Sequence, residues 1–210
     1  MGRGPVQTLK RYKWTWLMLL AAVIMAVYLV VNSLSFGDKK LPVIGEVQDF
    51  SLENVDGQQV SLADTAGKAR LVYFFFTECP DVCPITTYML SQTQDLLVKD
   101  GSFGKDIEFV SISFDPENDT REAIKAFGDK FHADYNGWYF LRGDQEQVRK
   151  LAAESFKVLI YGNSKDDFAH ANLIGLVDRT NRLRGLYDAG DTENVTPEFL
   201  AESVKKLARE

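Results

Sequence analysis

With 210 residues, 45% of them hydrophobic and 26% charged, the chain is long enough for one well-buried domain and an appendage, and it carries no internal repeat or low-complexity tract. The formal net charge of −6 is unevenly spread. Arg3, Lys10, Arg11, Lys13, Lys39 and Lys40 face the single acid Asp38 in the first forty residues, and the acidic remainder argues against a nucleic-acid partner.

Residues 14–31 are uncharged and mostly apolar, about the length needed to cross the hydrocarbon core of a bilayer. They predict one transmembrane anchor over residues 14–34, followed by a short polar linker at 35–40. Trp14, Trp16 and Tyr28 suit the interfacial belts, and the basic residues ahead of the span place residues 1–13 in the cytoplasm. The domain over residues 41–210 is then extracytoplasmic, on a single-pass protein of the cell membrane. A cleaved signal peptide fits less well, because the apolar core exceeds the usual ~7–15 residues and no A-x-A site follows it. No cysteine stands near the end of the span to take a lipid.

In the domain, Phe50-Ser51-Leu52 and Val60-Ser61-Leu62 flank the turn signal Asp56-Gly57 and predict a β-hairpin. The apolar run at residues 71–76 predicts a buried strand. It runs into Thr77-Glu78-Cys79-Pro80-Asp81-Val82-Cys83-Pro84, which holds both cysteines of the chain. Pro84 suits the first position of a helix continued by Ile85, Tyr88, Met89, Gln92 and Leu96, so Cys83 is expected near the N-cap. A thiol there feels the positive end of the helix dipole and tends toward thiolate. Two cysteines four apart across one turn can close on each other or on one small ion. A structural staple is a poor reading, since so short a ring removes little entropy from the unfolded chain. In an exported domain the pair needs a reductant or a bound metal to stay reduced.

Residues 107–114 predict a strand ended by Asp115-Pro116, and Asp119-Thr120-Arg121-Glu122 has the spacing of a capping box opening a helix through Phe131. A strand at 138–141 precedes a second cap, Asp144 to Gln147, and a helix to Phe156. Residues 157–167 are expected as an exposed loop beside the site. A hairpin follows around Arg179-Thr180-Asn181, and Thr196-Pro197 caps a final helix. The expected architecture is a thioredoxin-like α/β fold with an added N-terminal β-hairpin, preceded by one transmembrane helix.

Of the two histidines, His132 ends a helix, where a structural role suffices, whereas His170 stands between a polar loop and an apolar strand and is either a ligand or a surface residue. Two thiolates with an imidazole suit copper in both oxidation states. Zinc in a structural site would want a fourth ligand, such as Asp81 or Asp115.

Phe75-Phe76-Thr77-Glu78-Cys79-Pro80-Asp81-Val82-Cys83-Pro84 resembles the F-x-(Y/T)-T-x-C-P-D-x-C-P segment of the Sco/SenC family of membrane-anchored, copper-binding assembly proteins for cytochrome c oxidase. Ser113 to Thr120 is similar to that family's S-x-D-P-x-x-D-T segment, and the resemblance spans residues 41–208. It implies Cys79, Cys83 and His170 as copper ligands, Cys79 and Cys83 as a redox-active disulfide, and Asp115 as a group standing behind the ligands. It also implies service to the binuclear copper centre of cytochrome c oxidase subunit II, by copper delivery or by reduction of that centre's cysteines. The copper donor or thiol reductant upstream is not named by the sequence. One departure is Ala169, where the family has an acid before its histidine; Asp166 and Asp167 lie a little earlier.

A membrane-tethered thiol-disulfide oxidoreductase is the enzymatic alternative. Thioredoxin-like reductases carry C-x-x-C and a later cis-proline, whereas this chain has C-x-x-x-C and no proline between Pro116 and Pro197. His170 falls about where that proline is expected. A peroxiredoxin-like peroxidase fits less well, since Thr77-Glu78-Cys79 does not reproduce its Thr-x-x approach to the cysteine.

Overall fold

The computed structural model describes residues 12–36, 40–164 and 167–210. Most of the expected cytoplasmic segment, residues 1–11, therefore lies outside the described residues, as do Asp38, Lys39 and Asp166.

The chain forms two compact units that divide between Lys40 and Leu41. In the first, helix α1 (Lys13–Phe36) has 24 residues and, at ~1.5 Å per residue, is long enough to cross a bilayer. Its length and composition meet that requirement over Lys13–Val30. It runs two residues into the segment read as linker from the sequence.

The second unit is built on a sheet whose central strands are β4 (Ala69–Phe75), β5 (Ile107–Ser113) and β6 (Trp138–Arg142), which run parallel. Every position of β4 and β5 is buried, and because successive side chains point to opposite faces, both faces of the sheet must be covered. Phe75 stacks on Phe127 of α3 (Arg121–Lys130), while its neighbour Phe74 meets Phe156 of α4 (Gln145–Phe156) edge-on from the other side.

On one flank of this core lie β9 (Leu173–Val177), β10 (Arg182–Asp188) and the short β1 (Gly45–Glu46), all antiparallel. On the other flank, β2 (Ser51–Asn54) and β3 (Gln59–Ser61) form the expected hairpin, with Gly57 in the left-handed region at φ 84°. β2 pairs with β6, so the hairpin extends the sheet, whose order among the described residues is β1-β10-β9-β4-β5-β6-β2-β3. Helix α2 (Val82–Asp100) packs along α5 (Pro197–Ala208), and α5 also rests on β4. Asp144 and Thr196 cap α4 and α5 through their side chains, accepting from Gln147 N and Phe199 N. The fold is thioredoxin-like, with the added hairpin that the sequence predicts.

Residues expected as one exposed loop instead contribute β7 (Ile160–Tyr161), which pairs with β8 (Ala169–His170) in a separate two-stranded ribbon. Val158, just before it, is 1% exposed and anchors the ribbon's first arm in the core.

Candidate metal and redox site

The cysteine loop leaves the C-terminal end of β4, where the parallel register sets Phe75 against Ser113 of β5. Asp119 holds the two strand ends together. Its carboxylate accepts from Thr77 N (3.1 Å), from Thr77 Oγ1 (2.5 Å) and from the Ser113 hydroxyl. Burial raises its pKa, and the bonds from Ser113 and Thr77 oppose that rise. The sequence assigns Asp119 to a helix cap, but the cap of α3 is Thr120, whose side chain accepts from Ala123 N. The spacing of a capping box fits either residue; only the tertiary partners separate them.

Helix α2 begins at Val82, two residues earlier than Pro84 predicts, so Cys83 lies inside the first turn. Asp81 occupies the N-cap without a side-chain bond to the helix. A sulfur takes that role: the Cys83 N–H donates to Cys79 Sγ at 3.4 Å. The orphan N–H groups of a helix start thus point at the first cysteine rather than the second.

Both cysteines are free thiols, Cys79 at 8% and Cys83 at 0% exposure. Their acidities diverge. A hydrogen bond from the Cys83 thiol, joined against burial by the N–H groups of Asp81 and Cys83 and by the nearby His170, brings Cys79 down to about 5. Donating to Cys79 and being buried push Cys83 far above the usual thiol range. At neutral pH the pair is one thiolate and one thiol sharing a proton, with the thiolate on the side nearer solvent. The expectation of an activated cysteine at the helix start therefore holds for Cys79 and is reversed for Cys83.

His170 reaches this neighbourhood from the ribbon. Its ring lies edge-on to Phe114 at 5.0 Å, in a cluster where Phe168 packs on both Phe76 (5.2 Å) and Phe114 (5.1 Å). His170 Nδ1 stands 3.0 Å from the Ala171 carbonyl. A carbonyl only accepts, so this contact puts the proton of the neutral ring on Nδ1 and leaves the Nε2 lone pair for a ligand. Among the described residues, no group of three or more His, Cys, Asp or Glu side chains is close enough to hold a metal ion. The two sulfurs are together, and the imidazole is near Cys79 but outside coordination distance.

Other expected residues fall elsewhere. Asp115 is buried and accepts from Asn118 Nδ2 at 2.9 Å, within its own turn. Asp167 caps the ribbon turn, accepting from Asn163 N and Ser164 N, and Ala169 pairs with Tyr161. His132 lies just past the end of α3 and offers its carbonyl to Gln94 Nε2. Two residues not singled out from the sequence stand close to the sulfurs: Tyr73, buried beside Cys83, and Thr86, whose hydroxyl bonds the Asn172 side chain.

A family model described as SCO1/SenC matches residues 42–209. The SCO1 protein homolog of Bacillus subtilis (strain 168) is 30% identical over 171 residues, which are 80% of this chain and 86% of that protein. Among solved structures, BsSco, a member of the Sco family of cytochrome c oxidase assembly proteins in which a disulfide switch was identified, matches with a TM-score of 0.70 at 28% identity, covering 81% of this chain and 98% of that one. Arabidopsis thaliana ScoI with copper bound matches with a TM-score of 0.65 at 27% identity, covering 80% and 99%. With the family model spanning nearly the whole second unit and a relative this similar over four fifths of the chain, the protein belongs to the SCO1/SenC family.

Proposed function

We propose that this protein is a copper metallochaperone for the binuclear copper centre of cytochrome c oxidase subunit II, acting by copper delivery, by reduction of that centre's cysteines, or by both. Residues 14–34 hold it to the cell membrane, with residues 1–13 cytoplasmic and the domain at 41–210 outside. Copper is the cargo, and Cys79, Cys83 and His170 are its ligands.

The observation that carries this reading is the thiolate–thiol pair at the start of α2, with an imidazole on an adjoining ribbon whose Nε2 is left free. Thiolate sulfur selects copper over harder ions, and an added imidazole accommodates Cu(II) as well as Cu(I). A preformed zinc cage fits the site poorly, because the described residues offer no assembled ligand group. An ion bound first by the two sulfurs gives His170 a partner to close upon, and a site that closes on its cargo can also open to release it. Copper in the Arabidopsis ScoI structure supports the same reading.

The test is titration of the reduced full chain in detergent with Cu(II). One equivalent should bind with thiolate-to-copper charge-transfer absorption, abolished by Cys79→Ser or Cys83→Ser and weakened in His170→Ala. Absence of that absorption, or equal binding by His170→Ala, would contradict the assignment.

A second reading has its own support. A low-pKa Cys79 at 8% exposure beside a Cys83 at 0% is the arrangement of a nucleophile and a resolving thiol. Catalytic turnover of a disulfide substrate without copper would favour the thiol-disulfide oxidoreductase.

A further inference from the structure

Tyr73 breaks the chemistry of its strand. It precedes three phenylalanines, Phe74, Phe75 and Phe76, and like them it is buried, at 1% exposure, with its ring stacked on Phe75 at 6.4 Å. A phenylalanine would fill the same space. The hydroxyl instead lies within interaction range of Cys83 and Thr86 and close to Cys79, yet makes no hydrogen bond of normal length and angle among the described residues. Buried polar groups normally make well-formed hydrogen bonds, so an under-bonded hydroxyl against two sulfurs calls for an explanation.

Its neighbours are partly committed. The Thr86 hydroxyl donates to Asn172 Oδ1 at 3.1 Å and accepts from Asn172 Nδ2 at 3.0 Å. The Cys83 thiol points its hydrogen at Cys79 as a hydrogen-bond donor, and a neutral thiol is a weak acceptor. That last condition ends when a metal takes the pair, because the Cys83 proton must then leave to the buffer and its sulfur becomes a charged acceptor.

We infer that Tyr73 is a positioning residue of the copper site, whose O–H donates to the Cys83 sulfur when copper replaces the thiol proton. The inference rests on the copper reading above and adds to it the group that stabilises the inner of the two sulfurs. The hydroxyl is poorly bonded against a neutral Cys83 and well bonded against a charged one, so it favours the loaded state. Drawing charge from the sulfur also lowers the orbital from which the charge-transfer band arises.

Tyr73→Phe in the full chain tests this against the wild type, with Cu(II) as the probe. Three results are expected together. The reduced, metal-free variant is as stable to denaturant as the wild type or more so, because it loses only a buried, poorly bonded hydroxyl. Its Cu(II) affinity falls by about tenfold or more, as loss of a hydrogen bond to a charged acceptor implies. The charge-transfer band, read per bound copper and so independent of folding, moves to longer wavelength. An unmoved band with unchanged affinity would overturn the role of Tyr73 while leaving the copper site intact. Failure of the wild type itself to bind would instead remove the copper reading on which the inference rests.

Discussion

At the N-terminal end of β4, the Asp178 carboxylate accepts from Thr180 N and Oγ1, Arg182 N and Nε, and Arg184 Nη1, whereas at the other end Tyr73 holds a poorly bonded hydroxyl beside two free thiols. Burial would raise Asp178, but these bonds outweigh it and hold the carboxyl well below the usual range. The same cluster reaches across the domain, since Arg184 also bonds the Leu41 carbonyl and Glu210. Arg70 joins it by donating to Thr65 Oγ1 and to the Asp178 carbonyl. A carboxylate so surrounded has no lone pair left for a ligand and serves to fix strands. The sulfur end is under-bonded, and that leaves it the capacity to take an ion.

The comparison is broken most severely by Asp178→Ala, which leaves the buried Arg184 short of a counter-charge. The expected cost is about 3–5 kcal/mol of stability, read by denaturant unfolding. Copper binding by the fraction that stays folded should be unchanged, because nothing in the cluster touches the sulfurs.

At the sulfur end the large effect is on acidity. Cys79 has its folded pKa depressed to about 5, so its contribution to stability is present above the unfolded thiol value of about 8.5 and is lost as pH falls through about 5. Alkylation of Cys79 by iodoacetamide should accordingly hold its rate down to mildly acidic pH and fall through an inflection near pH 5. Cys83→Ala removes the main donor and should move that inflection upward. An inflection unaffected by the substitution would show that the helix start, not Cys83, sets the acidity.

A smaller effect is expected from Asp119→Ala, which releases Thr77 and Ser113 and should cost about 1–3 kcal/mol. It should also raise the Cys79 inflection, because the loop that aims its sulfur is no longer tied to β5. Smallest of all is Cys79→Ser read below the Cys79 inflection, where the thiolate no longer contributes: stability should then change by less than about 1 kcal/mol, since this side chain sits at the rim of the core.

How far the sequence is legible follows the same divide. Residues 71–76 and 107–114 read as strands because long β-branched and aromatic runs have few alternatives, and Thr196-Pro197 caps α5 where local chemistry alone decides. The dithiol was equally visible from its motif. What escaped depends on partners distant in sequence. The role of Asp119 is set by Thr77, 42 residues away, and β7 and β8, with two residues each, are too short to show a period. The exchange of roles between Cys79 and Cys83 follows from a helix that starts at Val82 rather than Pro84, a shift below what proline placement can resolve. In sequence Tyr73 is one more residue of an apolar strand, and its hydroxyl gains meaning only from the sulfur beside it.

The central claim is that both sulfurs and the imidazole of His170 converge on one copper ion although the metal-free protein holds only the sulfurs together. X-ray absorption at the copper edge, on the loaded full chain and on His170→Ala, addresses it directly. The expected result is a copper ion with sulfur ligands and imidazole scattering in the wild type, with the imidazole signal lost in the variant. A wild-type spectrum without imidazole, or one that the substitution leaves unchanged, would contradict the account.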